Sequence, residues 1–268
     1  MVGFESGHPG MVALDIDGTL HVASDTDLLV HKTISAAVRA AVHAVIRSGV
    51  HVVLCTGRLF PATEPFLREL GISTGYAICS NGAVLIDAAN GEVAEQVLFD
   101  LRKPVTVLRD RLRGAIFVAE NPGVGVLATR RVNDADMHYG MVKMVDADEL
   151  ARVSTTRLAV HWPGRTGNAL AEVLNGIDLP GIQACCYPDG PLADLTAAGV
   201  SKVAMLEKLR IELGVPASET WPSATALTTW RCWVGRPMGW LWVIHPLRCW
   251  LRLTKSVRQA PTTAWLSH

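Results

Sequence analysis

Two carboxylates separated by one apolar residue, in the run Asp15-Ile16-Asp17-Gly18-Thr19-Leu20, follow directly on the apolar stretch Met11-Val12-Ala13-Leu14. A carboxylate nucleophile splits a hydrolysis into two easier steps, and an acid beside it can protonate the leaving oxygen. The hydroxyl-plus-glycine turn Thr56-Gly57-Arg58 and a lysine opening a later helix, Lys202, would adapt such a pair to phosphoryl transfer through an aspartyl-phosphate. Phosphate brings more negative charge to a site that already holds two carboxylates. Like charges about 4 Å apart repel by roughly 4 kcal/mol at an effective dielectric of about 20. Cations are therefore required, Lys202 for one and Mg2+ for the other.

The elements that must position these residues follow from patterning. The stretch before Asp15 reads as a buried strand closed by a tight glycine turn, and in extended backbone Asp15 and Asp17 leave the same face. Thr33 is the expected cap of a helix carrying Ile34, Val38, Val42 and Val45 on one face, stopped by Gly49. A second apolar strand, 51–55, ends in Thr56-Gly57-Arg58; a helix over 62–70 leads to a third strand, 76–79, ending in Ser80-Asn81-Gly82. Three polar, glycine-containing turns then sit at the carboxyl ends of three consecutive strands, the edge where open α/β sheets bind ligands. Taken alone, Asn81-Gly82 is equally a hairpin turn joining Ala77 to Val84. From about 87 to 186 the strands shorten (115–119 and 158–162) and turn clusters appear at Asn121-Pro122-Gly123 and Pro163-Gly164, the pattern of a second α/β unit inserted into the first. Core patterning returns with a helix capped by Ser201, with Val203, Leu206, Leu209 and Leu213 inward, ended by Gly214 and Pro216. Gly123-Val124-Gly125 lacks the third glycine of a nucleotide loop and reads as a turn; His51 and His161-Trp162 read as packed strand residues.

The formal net charge of zero hides a split. Of 25 Lys and Arg residues, 6 lie in residues 221–268, which hold no acid, so residues 1–220 carry 19 bases against 25 acids, a net of −6. Seven of the eight tryptophans fall in the same last segment. Six cysteines show no metal-ligand spacing; Cys55, Cys79, Cys185 and Cys186 sit in apolar, strand-like surroundings and read as buried reduced thiols of a cytoplasmic protein. The first ten residues do not resemble a signal peptide, and Met11 is an alternative start. The longest apolar run of the tail, residues 240–244, is far short of the roughly 20 residues of a membrane span.

On these residues the chain resembles the haloacid dehalogenase-like (HAD) phosphatases. Asp15-Ile16-Asp17-Gly18-Thr19-Leu20 is similar to the family's first motif, Thr56-Gly57-Arg58 to the second and Ser201-Lys202 to the third; Ser80-Asn81-Gly82 and the late insertion point are similar to the Cof-type branch. The resemblance implies an α/β fold: a Rossmann-like parallel-sheet core formed by residues 1–86 and 187–220, with an inserted α/β cap over 87–186 that selects the substrate. It implies Asp15 as nucleophile and Asp17 as general acid/base, with the Asp15 carboxylate and the Asp17 main-chain carbonyl on Mg2+. Thr56 and the Gly57 amide would hold the phosphate and Lys202 balance its charge, with Arg58 and Asn81 in the substrate site. The implied partner is a small phosphorylated metabolite, a sugar phosphate or nucleotide cofactor, with no nucleic acid and no membrane.

The family's fourth motif, an acidic Gly-Asp-x-x-Asn-Asp loop that completes the magnesium site, is expected soon after Val215. In its place stands Trp221-Pro222-Ser223-Ala224-Thr225-Ala226-Leu227-Thr228-Thr229-Trp230, without a carboxylate. Regrouping the codons by one base, so that each takes the third base of one residue and the first two of the next, is compatible with Ala-x-Gly-Asp-x-x-Asn-Asp-x-Ala-Met-Leu. The first Ala and the final Leu are forced by the genetic code. Residues 240–244 regroup compatibly with Ala-Met-Gly-Asn. The expectation is therefore a one-base insertion or deletion near codons 218–221, with 221–268 an aberrant, non-native tail in place of the end of the core. Losing the acidic ligands would cost about two to four decades of turnover. Two alternatives stand beside an impaired phosphatase: a catalytically dead phosphometabolite-binding protein, or a non-functional frameshift product. A membrane-surface or nucleic-acid role for the Trp- and Arg-rich tail is weakened by Pro222, Pro237, Pro246 and Pro261, which interrupt any long amphipathic helix.

Overall fold

The computed structural model describes residues 9–20, 34–131, 140–187 and 190–223. Its strands are β1 (Met11–Leu14), β2 (His51–Cys55), β3 (Tyr76–Cys79), β4 (Val84–Asp87), β5 (Val93–Gln96), β6 (Phe99–Asp100), β7 (Ile116–Asn121), β8 (Gly125–Ala128), β9 (Met141–Met144), β10 (Ser154–Thr155), β11 (Leu158–His161), β12 (Ile182–Tyr187), β13 (Leu192–Ala197) and β14 (Thr220–Ser223). The helices are α1 (Ala36–Arg47), α2 (Phe60–Glu69), α3 (Arg102–Arg111), α4 (Ala147–Leu150), α5 (Gly167–Asn175) and α6 (Lys202–Glu212).

The first sheet has the order β14-β1-β2-β3-β4-β5. Strands β14, β1, β2 and β3 run parallel, and β4 and β5 return antiparallel. Alternation along the strands sorts the core into two layers. Val12, Leu14, Leu54 and Ala77 pack with Val42 and Val45 of α1 and Phe66 and Leu67 of α2. Met11, Ala13, Val53, Cys55 and Ile78 pack on the other side with Met205, Leu206 and Leu209 of α6. On this second side Lys202 opens α6. Here the expected Rossmann-like α/β core is present, with its three polar turns at one edge of β1, β2 and β3.

The second sheet has the order β12-β13-β11-β7-β8-β9, antiparallel except for the β8–β9 pair, with β6 and β10 forming a separate two-stranded ladder. One face carries an apolar cluster with α3 and α5 (Val105, Leu108, Leu170, Leu174). The other face, with Ile116, Val118, Val126, Ala128 and Ala159, packs against Leu59, which directly precedes α2 of the first sheet's layers.

Several boundaries differ from the sequence reading. Strand β5 extends the first sheet beyond residue 86, and β13 belongs to the second sheet although it follows residue 187. The alternating pattern of β13 would suit either sheet, and only its pairing with β11 and β12 decides. Ser35, not Thr33, caps α1, its Oγ accepting from the Val38 amide at 3.3 Å; Thr33 itself lies outside the described residues, and Ile34 is buried ahead of the helix. In α6 it is Met205 with Leu206 and Leu209 that is buried, while Val203 and Leu213 are half-buried. Cys55 and Cys79 are buried, but Cys185 and Cys186, on edge strand β12, are half-exposed; His51 is exposed and His161 half-buried at strand ends. Trp221, expected in the aberrant tail, lies in β14 and packs half-buried on the first core. The remainder of the tail, 224–268, lies outside the described residues. Among the described residues no helix is long and apolar enough to cross a membrane.

Candidate active site

Strand β1 ends at Leu14, so the alternation argument does not extend to Asp15 and Asp17. A turn does the work instead: the Ile16 carbonyl accepts from the Thr19 and Leu20 amides at 3.2 and 3.0 Å, and Gly18 takes a φ of 74°, where a side chain would be strained. The two carboxylates have different partners. Asp15 is buried, and its Oδ1 accepts from the Ile16 amide at 2.9 Å and from Lys202 Nζ at 3.1 Å. This ion pair links the end of β1 to the first residue of α6, with both side chains 4% exposed. Asp17 is 53% exposed and faces Arg58, whose Nε and second guanidinium nitrogen donate to its two oxygens at 2.9 and 2.6 Å. The Arg58 guanidinium also lies 5.1 Å from the centre of the Phe66 ring.

The Thr56-Gly57-Arg58 turn follows β2. Thr56 is fully buried; its Oγ1 accepts from the Arg58 amide at 3.1 Å, leaving the hydroxyl proton to donate elsewhere. All three carbonyls of the turn are held: Thr56 O by the Asn81 amide at 3.2 Å, Gly57 O by an Arg157 guanidinium nitrogen at 3.0 Å and Arg58 O by the Ser80 amide at 2.9 Å. Among the described residues the Gly57 N–H has no acceptor. A Cβ at Gly57 would lie 2.7 Å from Asn81 Oδ1, so glycine is what lets the Asn81 amide settle on the turn.

Asn81 stands on the hairpin between β3 and β4, as the hairpin reading expected, and the same turn brings its side chain against Gly57. Its Nδ2 donates to Asp194 Oδ2 at 3.3 Å. Lys202, Asp15, Asp17, Thr56, Gly57, Arg58 and Asn81 thus gather at one edge of the first sheet, as two ion pairs linked by one turn.

The sequence reading missed the residues that the second sheet adds. Arg157 and Asp194 form a buried ion pair at 3.3 Å, and the Tyr187 hydroxyl donates to Asp194 at 2.7 Å; burial raises the Tyr187 pKa above its ordinary value, and the Asp194 charge adds to the effect. Glu120 accepts from Ser80 and Thr156. Burial raises its pKa above the usual carboxylate range, opposed by the Arg157 charge and those two hydrogen bonds. Cys79 beside it is pushed up to about 12 by burial, which makes its thiol inert as a nucleophile. A usable signal was present for Glu120: like Asp15, it is an acid at the end of a buried apolar run.

Mg2+ takes hard oxygen ligands, with one or two carboxylates and several retained waters sufficing. The Asp15 carboxylate and the Asp17 main-chain carbonyl have that donor chemistry. Among the described residues there is no group of three or more His, Cys, Asp or Glu that could hold a metal.

Residues 12–110 match the sequence model of the haloacid dehalogenase-like hydrolases. That span includes Asp15, Asp17, Thr56, Gly57, Arg58 and Asn81. Among solved structures the chain is similar to BT1666 from Bacteroides thetaiotaomicron, described among phosphatases of the HAD superfamily, at 23% identity and TM-score 0.64, covering 85% of this chain and 81% of that one. It is similar to the HAD subclass IIB sugar phosphatase BT4131 at 19% identity and TM-score 0.64, covering 81% of each chain. A HAD/COF-like hydrolase from Plasmodium vivax matches at 15% identity and TM-score 0.64, covering 82% of this chain and 79% of that one. No curated protein sequence matches. The family model thus matches residues 12–110, and the fold across both sheets is similar to that of these solved structures.

Proposed function

We propose that this chain is built as a cytoplasmic, Mg2+-dependent phosphatase for a small phosphorylated metabolite, a sugar phosphate or nucleotide cofactor, with Asp15 as the nucleophile. The observation that carries the reading is the buried Asp15–Lys202 pair at the carboxyl edge of the parallel sheet, next to the Thr56-Gly57 turn. In this reading an Asp15 oxygen attacks phosphorus and the P–O bond to the leaving group breaks, the departing oxygen taking its proton from Asp17. Water, deprotonated by Asp17, then cleaves the aspartyl-phosphate, releasing inorganic phosphate and restoring Asp15. The Thr56 hydroxyl and the Gly57 amide donate to phosphate oxygens, and the Lys202 ammonium offsets their charge. Bound at Asp15 and the Asp17 carbonyl, Mg2+ would polarise the phosphoryl group. The second sheet, facing the same edge, is read as the cap over the leaving group.

The reading includes a frame change. Strand β14 ends at Ser223, paired with Leu14, one residue ahead of Asp15. In the shifted frame, Gly-Asp follows directly after β14 in sequence, at the point in the chain where an acidic loop would serve Asp15. This supports a one-base insertion or deletion near codons 218–221. The coding DNA tests it: a shifted frame that does not encode Gly-Asp-x-x-Asn-Asp would refute it. An in-frame chain should hydrolyse a generic aryl phosphate with Mg2+, and Asp15→Asn should lower kcat by at least about three decades. Activity untouched by that substitution would overturn the assignment.

A further inference from the structure

Where the second sheet meets the turns of the first, one buried acid takes no part in the chemistry above. Glu120 is 6% exposed, on the face of β7 that carries Ile116 and Val118 toward the first sheet. One carboxylate oxygen accepts from Ser80 Oγ at 2.7 Å and the other from Thr156 Oγ1 at 2.8 Å. Its main chain is fixed as well: the amide donates to Arg157 O at 2.9 Å and the carbonyl accepts from Thr155 Oγ1 at 2.8 Å. A carboxylate so placed is a rigid acceptor, since the alternative is burial without partners.

What Glu120 holds is a strained turn. Among the described residues, Ser80 and Asn81 are the non-glycine residues with positive φ, at 52° and 58°. Such a conformation persists only when its surroundings over-determine it. Three restraints converge here. The Ser80 and Asn81 amides are tied to Arg58 O and Thr56 O. Gly82, at φ 99°, lies so close to α6 that a Cβ would sit 2.2 Å from Ser201 O. The third restraint, the Ser80 hydroxyl on Glu120, comes from the other sheet. The turn thereby touches both halves of the candidate phosphate site, with Asn81 over Gly57 on one side and the start of α6, with Lys202, on the other.

We infer that Glu120 is a positioning residue: by holding Ser80 it fixes the turn that seats Asn81 on Gly57 and braces the Ser201–Lys202 backbone, so the phosphate cradle is complete only with the second sheet docked. The inference rests on the reading of Thr56, Gly57 and Lys202 as a phosphate site.

The test is titration of the full chain with orthophosphate by calorimetry, alongside thermal unfolding. Ser80→Ala and Glu120→Ala should each weaken binding about tenfold, the worth of one hydrogen bond to a charged group. Glu120→Gln should stay within about twofold of the native chain, because its amide oxygen still accepts the Ser80 hydroxyl. Leu170→Ala, in the second sheet's own core and 0% exposed, should lower the unfolding temperature yet leave phosphate affinity unchanged. The inference is overturned by native-like affinity in Ser80→Ala, by equal losses in Glu120→Gln and Ser80→Ala, or by Leu170→Ala weakening phosphate as much as they do. Should Glu120→Ala not fold, Ser80→Ala and Glu120→Gln carry the comparison. No binding by the native chain would refute the phosphate reading, and a crystal structure of Ser80→Ala then decides the rest. Residues 80 and 81 leaving the left-handed region would uphold the role of Glu120 in fixing the turn; an unchanged turn would end it.

Discussion

The two six-stranded sheets place chemistry in different ways. The first, parallel along β14-β1-β2-β3, puts it at strand ends, where each strand runs into a polar turn: Asp15 after β1, Thr56-Gly57-Arg58 after β2, Asn81 after β3. The second, mostly antiparallel, puts it on a face, with Glu120, Arg157, Asp194 and Tyr187 coming from four strands or their margins and meeting only across the sheet. The charges at the first sheet's turns form one buried pair and one exposed pair; Glu120, Arg157 and Asp194 of the second are buried and interlocked. Chemistry at strand ends is marked by local turn signals, whereas chemistry on a sheet face depends on pairing between distant segments.

The largest effect should come from breaking the second sheet's ion pair. With Arg157 and Asp194 side chains 8% and 4% exposed, Arg157→Ala leaves an uncompensated buried carboxylate and should cost about 3–5 kcal/mol, read by urea unfolding. A loss under about 1 kcal/mol would mean that this face is solvated and the contrast with Asp17–Arg58 is false. Next in size is Gly82→Ala. The positive φ alone should cost about 1–3 kcal/mol, with the contact against Ser201 O in addition. Its unfolding midpoint should fall well below that of Gly199→Ala, where a Cβ meets nothing within 4 Å.

Glu120 gives a smaller, pH-dependent effect. Burial raises its pKa above 4.5, so over that interval the folded chain keeps a proton that the unfolded chain has released. Its contribution is fully present below the unfolded value and is lost as pH rises through the folded one, with a slope of at most about 1.4 kcal/mol per pH unit. Glu120→Gln should flatten this fall, so that its midpoint gains on the native chain as pH is raised from about 5 to 7. A constant difference across that range would show that Glu120 titrates as it does in the unfolded chain. The smallest change belongs to the exposed pair: Arg58→Lys, which loses the two-point contact to Asp17, should shift stability by less than about 1 kcal/mol.

Much of the first sheet was legible because its signals are local. Met11-Val12-Ala13-Leu14 before Asp15-Ile16-Asp17-Gly18 specifies a buried strand and a glycine turn within eight residues, and Thr56-Gly57 and Asn81-Gly82 repeat the device. Asp15 and Asp17 take different partners because the strand stops at Leu14 and the turn that follows brings Asp17 to Arg58. Thr33 carries a hydroxyl that suits a cap, but so does Ser35, and only the helix's first hydrogen bond, from the Val38 amide to Ser35, distinguishes them. The limits of the inserted sheet shifted for a related reason. The alternation in β5 and β13 shows that each has two faces but is silent about which sheet it joins.

By itself, the sequence determined the residue types at the strand ends, the glycines that allow their turns, and the carboxylate, hydroxyl and lysine that suit phosphoryl chemistry, because each depends on neighbours within a few positions. Tertiary structure alone decided that Lys202 reaches Asp15 across 187 residues, that Arg58 takes Asp17, and that Glu120, Arg157 and Asp194 close over the turns. Those contacts arise when two separately patterned sheets are packed together, and burial then gives distant polar side chains no partners except one another.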